Sequence, residues 1–360
     1  MKDIFKYFDK WTFLVMMVLV VTGIVLIYSA SSGTNQSHWT KQLVWLFLAF
    51  IAFAVTFRFK PELMFRYSMP AYLFLMVVLT AQIATGGIIA GTKSWIRAGF
   101  FNIQVSELVK IPLALLLAKT LTHFKTIEWK EFFKLALIIG VPFLLIGMQP
   151  DMGTAFMLSS FMITAIMLKK IKPVIIVFSL LILLIGSGVT WNYILKPYQR
   201  DRIISFLNPE KYKKSSGYQI IQSKIAIGSG GLTGKGYLNG TQSQYKFLPT
   251  RHTDFIVSVL GEEFGFLGVS FLFLIFFAFF YRQFNIKVQT DEEYYYVYLF
   301  NGVILFQFLI NILMTIGFVP VLGIPLPFVS YGGSSLLAFF IGEAIIFRIK
   351  INTYLYLNEY

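Results

Sequence analysis

Apolar residues in this chain fall into long, nearly unbroken runs separated by short polar punctuation. A bilayer core needs roughly 20 apolar residues per helix. The runs predict spans near Trp11–Tyr28, Gln42–Phe57, Tyr67–Ala84, Leu108–Leu121, Phe132–Met148, Gly153–Leu168, Val174–Trp191, Phe255–Phe280, Tyr295–Phe318 and Ser334–Phe347. The fourth is short, and its Pro112 predicts a kink or an outer cap. The fold class expected is an all-α integral membrane protein of about ten transmembrane helices, residues 1–360 forming one polytopic domain.

Two stretches break the pattern. The first is a polar loop of about sixty residues from Asn192 to Thr253, between spans seven and eight. Within it, Asp201–Leu207 and Gly217–Ile227 read as amphipathic helices, followed by Gly228-Ser-Gly-Gly-Leu-Thr-Gly-Lys-Gly236. The glycine run fails as a phosphate loop. Ser229 stands where its first glycine belongs, and Lys235 is followed by Gly236 rather than Ser or Thr. The expected reading is a flexible turn beside the membrane; the alternative is a set of backbone amides that holds a lipid diphosphate. The second stretch runs from Gly317 to Ser335. Its three prolines and four glycines cannot continue a helix, while its apolar residues argue against a solvent loop. A re-entrant segment lining a cavity, residues 319–333, fits both facts.

Composition agrees with lipid as the solvent. The 360 residues are 57% hydrophobic and 13% charged, against about 25% charged in soluble domains. Cysteine is absent, which excludes disulfides and thiolate chemistry, and three histidines make a histidine metal cage improbable. The net charge of +14 could suggest nucleic acid. Its placement points to topology instead: Arg58, Lys60, Arg66, Lys125, Lys130, Lys169, Lys170, Lys172 and others share one side, against Lys41, Lys93 and Arg97 on the other. Both termini are therefore expected in the cytoplasm, and the long basic loop outside, where length overrides charge. The first run is long enough to span and has many successors, so no cleavable signal is expected.

Ionisable residues at the rim of membrane helices default to functional hypotheses. Glu107 and Lys110 share a helix face and read either as a structural ion pair or as site residues. Trp95 and Arg97 precede them at the interface, where such residues are often only anchors. Asp151 follows Pro150, which suits a first helical position, and helix capping explains the carboxylate adequately. Arg251-His252-Thr253-Asp254 opens span eight. A carboxylate at the boundary of water and lipid can be desolvated enough to act as a general base; capping by Thr253 or Asp254 is the plainer account. Glu262 and Glu263 lie roughly 12 Å deeper on the same helix, and with Glu343 they would mark a polar interior or form pairs with buried cations. Ser330 and Ser334 would face the same outer cavity.

Several of these stretches are individually unusual: Ser106-Glu107-Leu-Val-Lys110, Gln149-Pro-Asp151-Met-Gly-Thr154, Gly217-Tyr-Gln219, Gln222-Ser223, Leu248-Pro249, His252-Thr-Asp254-Phe-Ile256, Gly261-Glu-Glu263, and Pro325-Leu-Pro-Phe-Val-Ser330-Tyr-Gly-Gly-Ser334-Ser335. In this order the chain resembles the SEDS family, the shape, elongation, division and sporulation proteins, and its short termini resemble the elongation branch. It departs at Thr250, where relatives often carry Glu. The resemblance implies ten helices and a peptidoglycan glycosyltransferase that polymerises lipid II into β-1,4 strands and releases undecaprenyl diphosphate. Asp254 matches the family's essential aspartate. Glu107, Lys110, Trp95, Arg97, Asp151, Arg251, His252, Ser330 and Ser334 are the expected substrate-binding set. Lys110, Arg97, Arg251 or a divalent cation, magnesium or manganese, would assist the leaving diphosphate, with no organic cofactor. The implied partners are a class B penicillin-binding protein, MreC and MreD, in the bacterial cytoplasmic membrane. A lipid II flippase and a non-catalytic scaffold are the rival functions.

Overall fold

The computed structural model describes residues 7–32, 37–85, 94–98, 101–195, 197–211 and 216–359. Lys93 lies outside them, as does the side chain of Arg97. Helices α1 (Lys10–Ser31), α2 (His38–Phe57), α3 (Pro61–Arg66) and α4 (Ser68–Thr85) lead to an antiparallel hairpin, β1 (Trp95–Ala98) with β2 (Phe101–Gln104). Four long helices follow: α5 (Val105–Thr122), α6 (Trp129–Met148), α7 (Met152–Leu168) and α8 (Pro173–Val189). The long polar loop contributes α9 (Pro197–Leu207), α10 (Ser216–Ser229) and α11 (Thr241–Gln244). The chain ends with α12 (Ile256–Phe284), α13 (Asp291–Thr315) and α14 (Gly333–Glu359). The protein is thus mostly helical, and six of the described helices are long and apolar enough to cross a membrane.

Helix α5 is not among those six because Glu107, Lys110 and Lys119 fall within its 18 residues. It is buried along nearly its whole length, Lys110 included, so protein rather than lipid solvates it, and Pro112 lies inside the helix. By contrast α8 is almost bare: Ile175 is buried, while most of the described side chains along it are exposed. The end of the bundle opposite Asp254 is tied by ions. Asp9 caps α1 and pairs with Arg282 at 2.7 Å and with Lys350, joining α1, α12 and α14.

The glycine-rich stretch is not a flexible turn. Gly265 breaks α12 at φ +62°, which frees backbone groups inside an apolar helix. The glycine run supplies their partners: Phe266 and Leu267 donate to the carbonyls of Gly231 and Leu232, while Lys235 and Gly236 donate to those of Glu262 and Glu263. Gly234, at φ +80°, comes so close that an added Cβ would sit 2.1 Å from the Glu263 carbonyl. The amides of Lys235 and Gly236 are therefore engaged within the protein, which removes them from the diphosphate-holding alternative.

Between α13 and α14 the chain from Ile316 to Gly332 carries neither helix nor strand. Val321, Ile324, Leu326, Phe328 and Val329 are nonetheless buried. Small residues let this segment in: an added Cβ on Gly23 of α1 would lie 2.3 Å from the Val329 carbonyl oxygen, and one on Gly153 of α7 would lie 2.2 Å from that of Leu322. Backbone cannot yield as a side-chain tip can, so Gly23→Ala is expected to cost about 1–3 kcal/mol. Thermal unfolding in detergent measures this. Gly140→Ala, where nothing stands within 4 Å, should be neutral or slightly stabilising.

Candidate active site

The Pro-rich segment between α13 and α14 holds the turn that carries Asp254. The Tyr331 amide donates to the His252 carbonyl at 2.9 Å, and Ser330 Oγ donates to the Thr253 carbonyl at 2.6 Å. Ser330 Oγ is itself fixed by the Leu326 amide at 2.9 Å. Asn311 of α13 completes the clamp: its Nδ2 donates to the carbonyls of Asp254 at 2.9 Å and Ile324 at 2.7 Å. Three consecutive carbonyls are thereby held, and the intervening side chains are set in direction.

Neither Thr253 nor Asp254 caps α12, whose N-cap is Phe255 without a side-chain bond. The carboxylate of Asp254 is free of the structural duty expected of it. It points toward Gly323, whose added Cβ would be 3.9 Å from Oδ2. The side chain stays partly open. Even so, protein surrounds it densely enough that burial raises its pKa to about 6, against a hydrogen bond from Thr253 and the positive field of Arg202. A carboxylate of that kind is ionised at neutral pH and still a usable proton acceptor.

The neighbouring residues divide into those that face Asp254 and those that hold the frame. The His252 ring stacks on His38, centroids 4.1 Å apart, with Tyr331 edge-on at 5.9 Å. Burial first, then the charges of His38 and Arg251, lower the His252 pKa to about 4, so the imidazole is neutral at pH 7. Arg251 is buried, and its Nε donates to the Ala30 carbonyl at 2.6 Å, which ties the turn to the end of α1. That geometry makes it a tether rather than an exposed cation.

Asp151 accepts from the Thr154 amide at 3.3 Å as the N-cap of α7, so Pro150 stands outside the helix and not at its first position. The same carboxylate takes 2.6 Å from Gln104 Nε2, at the end of the hairpin. Ser334 Oγ accepts from the Gln104 amide at 2.9 Å, and Trp95 pairs with Gln104 across the hairpin. Beneath them Lys110 is 1% exposed; its ammonium meets Glu107 at 2.9 Å and Gln307 Oε1 at 3.1 Å. Gln307 Nε2 in turn donates to the Pro325 carbonyl at 2.9 Å. The pair therefore braces the Pro-rich segment from inside, and in this conformation neither charge reaches the outer surface.

Gln307 and Asn311 were not singled out from sequence. The available signal was two amides four residues apart on one face of an otherwise apolar span, a costly placement unless bonded. Arg202, the cation whose field reaches Asp254, lies in an amphipathic loop helix, where a basic residue reads as ordinary solvent-facing charge. Replacing Asn311 by Leu conserves bulk and removes both donations. It is expected to cut turnover about tenfold, from a loss of roughly 1–3 kcal/mol at the orphaned carbonyls. The acid limb of the pH–rate profile should also move, because the surroundings that set the Asp254 pKa move; a purely structural role would leave that limb in place.

Among the described residues no group of three histidine, aspartate or glutamate side chains could hold a metal ion. Asp254 offers a cation a single carboxylate, so a hard divalent ion here would need oxygens from a phosphorylated substrate to fill its shell.

Residues 9–355 match the FtsW, RodA and SpoVE family of cell cycle proteins. The chain is 33% identical over 347 residues to peptidoglycan glycosyltransferase MrdB of Escherichia coli K12, covering 95% of this chain and 93% of that one. It is 33% identical over 429 residues to peptidoglycan glycosyltransferase RodA of Treponema pallidum, covering 95% and 97%. A solved structure described as the structural coordination of polymerization and crosslinking by a peptidoglycan synthase complex superimposes with a TM-score of 0.84 at 26% identity, covering 96% of this chain and 98% of that one.

Proposed function

The chain belongs to the FtsW/RodA/SpoVE family of cell cycle proteins, and from that premise we propose that it is a peptidoglycan glycosyltransferase whose general base is Asp254. Its relatives carry that activity in their names over nearly their whole length. The observation that carries the residue assignment is the clamp itself. Asn311, Ser330 and Tyr331 fix the backbone at Asp254 and its two preceding residues, while the Asp254 carboxylate caps nothing.

The reaction is polymerisation of lipid II. Asp254 takes the proton from the 4-hydroxyl of an incoming GlcNAc. The oxygen attacks the anomeric carbon of the growing strand, and undecaprenyl diphosphate departs. Attack from the face opposite the leaving group turns an α-linked donor into a β-1,4 bond. His252, its pKa lowered to about 4, is a weaker base than Asp254 at about 6 and leaves the carboxylate to accept the proton. Positive charge would stabilise the departing diphosphate: Arg202, whose field reaches Asp254, and Arg97, as the family resemblance implies, would supply it, and a divalent cation, where one binds, would add Lewis-acid help. Lys110 and Glu107 act in this reading by holding the Pro-rich segment, and Asp151, Ser334 and Trp95 by holding the hairpin, at the rim of the substrate cavity.

A membrane enzyme suits this substrate because the polyprenyl tail stays in lipid while the sugar reacts at the surface. The protein works in the bacterial cytoplasmic membrane with both termini inside, beside a class B penicillin-binding protein that crosslinks the strands. MreC and MreD complete the elongation assembly. The test is incubation of lipid II with purified protein and its cognate penicillin-binding protein, followed by gel analysis of the products. Long glycan strands support the enzyme. Intact lipid II that only changes leaflet in vesicles would move the function to transport.

A further inference from the structure

We propose that the paired loops at the inner ends of α6 and α8 form a headgroup site for anionic phospholipid of the inner leaflet. The loop before α6 and the loop before α8 are lashed together. Ile127 and Ile171 form a parallel bridge, the Ile127 amide donates to the Lys170 carbonyl at 2.8 Å, and Lys169 Nζ donates to the Phe124 carbonyl at 2.6 Å. That pairing brings together two loops whose lysines lie some forty residues apart in sequence.

The local acids do not neutralise them. Glu128 and Glu131 are spent on a reciprocal capping box at the start of α6, and Glu128 also pairs with Lys172 at 2.9 Å. Lys125, Lys130 and Lys170 are exposed and make no ion pair among the described residues. Beside them Trp129 stacks on Phe133 at 6.0 Å and meets Phe178 of α8 edge-on at 5.1 Å. An interfacial indole on the same pair of loops as three exposed lysines without ion pairs suits a phosphate headgroup with its acyl chains beside α8, which is itself almost wholly exposed. Clusters of lysine next to a spanning helix attract anionic lipid through both charge and counterion release, whereas the zwitterionic headgroup gains little.

The chemistry thus selects phosphatidylglycerol-type lipid over phosphatidylcholine. Its occupancy would fasten the inner end of the least packed long helix, the one that leads into the outer loop. The assignment to the inner leaflet rests on the orientation proposed above; the charge preference does not.

Native mass spectrometry of the full chain in detergent, titrated with phosphatidylglycerol or phosphatidylcholine, tests the site. The triple variant Lys125→Gln, Lys130→Gln, Lys170→Gln should weaken phosphatidylglycerol binding at least tenfold and leave phosphatidylcholine unchanged. A matched triple on the same side, Arg58→Gln, Lys60→Gln, Lys287→Gln, should stay within twofold of wild type. Equal losses from both triples would reduce the effect to the diffuse field of a basic face and overturn the site, as would equal affinity of wild type for the two lipids. Orientation is read separately. The chain has no cysteine, so Thr126→Cys is a unique label. A membrane-impermeant maleimide that reaches it from outside intact cells would overturn the leaflet and leave the lipid preference standing.

Discussion

Asp254→Asn is expected to abolish glycan polymerisation, by about a thousandfold or more, while making the protein more stable at neutral pH. The activity loss follows from removing a general base, worth roughly 10²–10⁴ in rate. The stability gain follows from the direction of its pKa. Folding raises the carboxyl from 3.8 to about 6, so the fold binds that proton more tightly than the unfolded chain does. Its stabilising contribution is complete below about pH 4 and is lost as pH rises through 6; above that, the ionised carboxylate is a net cost to the fold. That difference is worth at most roughly 3 kcal/mol, and partial solvent access reduces it to about 1–2 kcal/mol. Thermal melts of wild type and Asp254→Asn at pH 5 and pH 8 measure it: the gap should appear at pH 8 and shrink at pH 5. Wild-type turnover should fall as pH drops through about 6, where the base takes up its proton. A wild-type rate that stays level from pH 5 to 8, or an Asp254→Asn protein that still makes strands, would sink the assignment.

Glu262→Ala is expected to be the most destabilising single substitution among the buried polar residues outside the Arg251–Asp254 turn, by about 2–4 kcal/mol. The Glu262 carboxylate is fully buried and gathers donors from one loop: Lys235 Nζ at 2.7 Å, the amides of Gln242 and Ser243 at 2.8 and 3.1 Å, and the hydroxyls of Thr241 and Ser243. Removing it strands a partly buried ammonium, the buried Ser243 amide and the partly buried Gln242 amide together. Lys235 can swing toward water, being 26% exposed, which keeps the cost below that of a fully enclosed pair. The loop from Gly228 to Tyr245 should then loosen first, so limited proteolysis should cut there before the protein melts. Glu262→Gln keeps the shape and one acceptor oxygen and should lose roughly half as much. A melting temperature unchanged in both variants would show that the loop is held by the glycine backbone contacts alone.

The hydrophobic pattern by itself determined the class of this protein, because a bilayer demands long apolar helices and tolerates few alternatives. It also located Asp254, whose charge at the boundary between water and lipid is conspicuous in any linear reading, and the Pro-rich interruption before α14, where prolines forbid a helix. It read α9 and α10 from their amphipathic spacing. It did not disclose the hairpin of β1 and β2, four residues a strand and too short to register against the neighbouring spans. Nor did it disclose that the glycine run repairs the break at Gly265, since that match joins two segments thirty residues apart. Tertiary structure alone decided what each polar group does. Lys110 and Arg251 look like cations for a substrate in the sequence. In the fold one is sealed against Glu107 and Gln307 and the other is bonded to the Ala30 carbonyl. Asp151 caps a helix and Asp254, which looked equally able to, does not. The reason is that a polar side chain is assigned by its partners, and these partners come from distant helices whose packing no local pattern encodes.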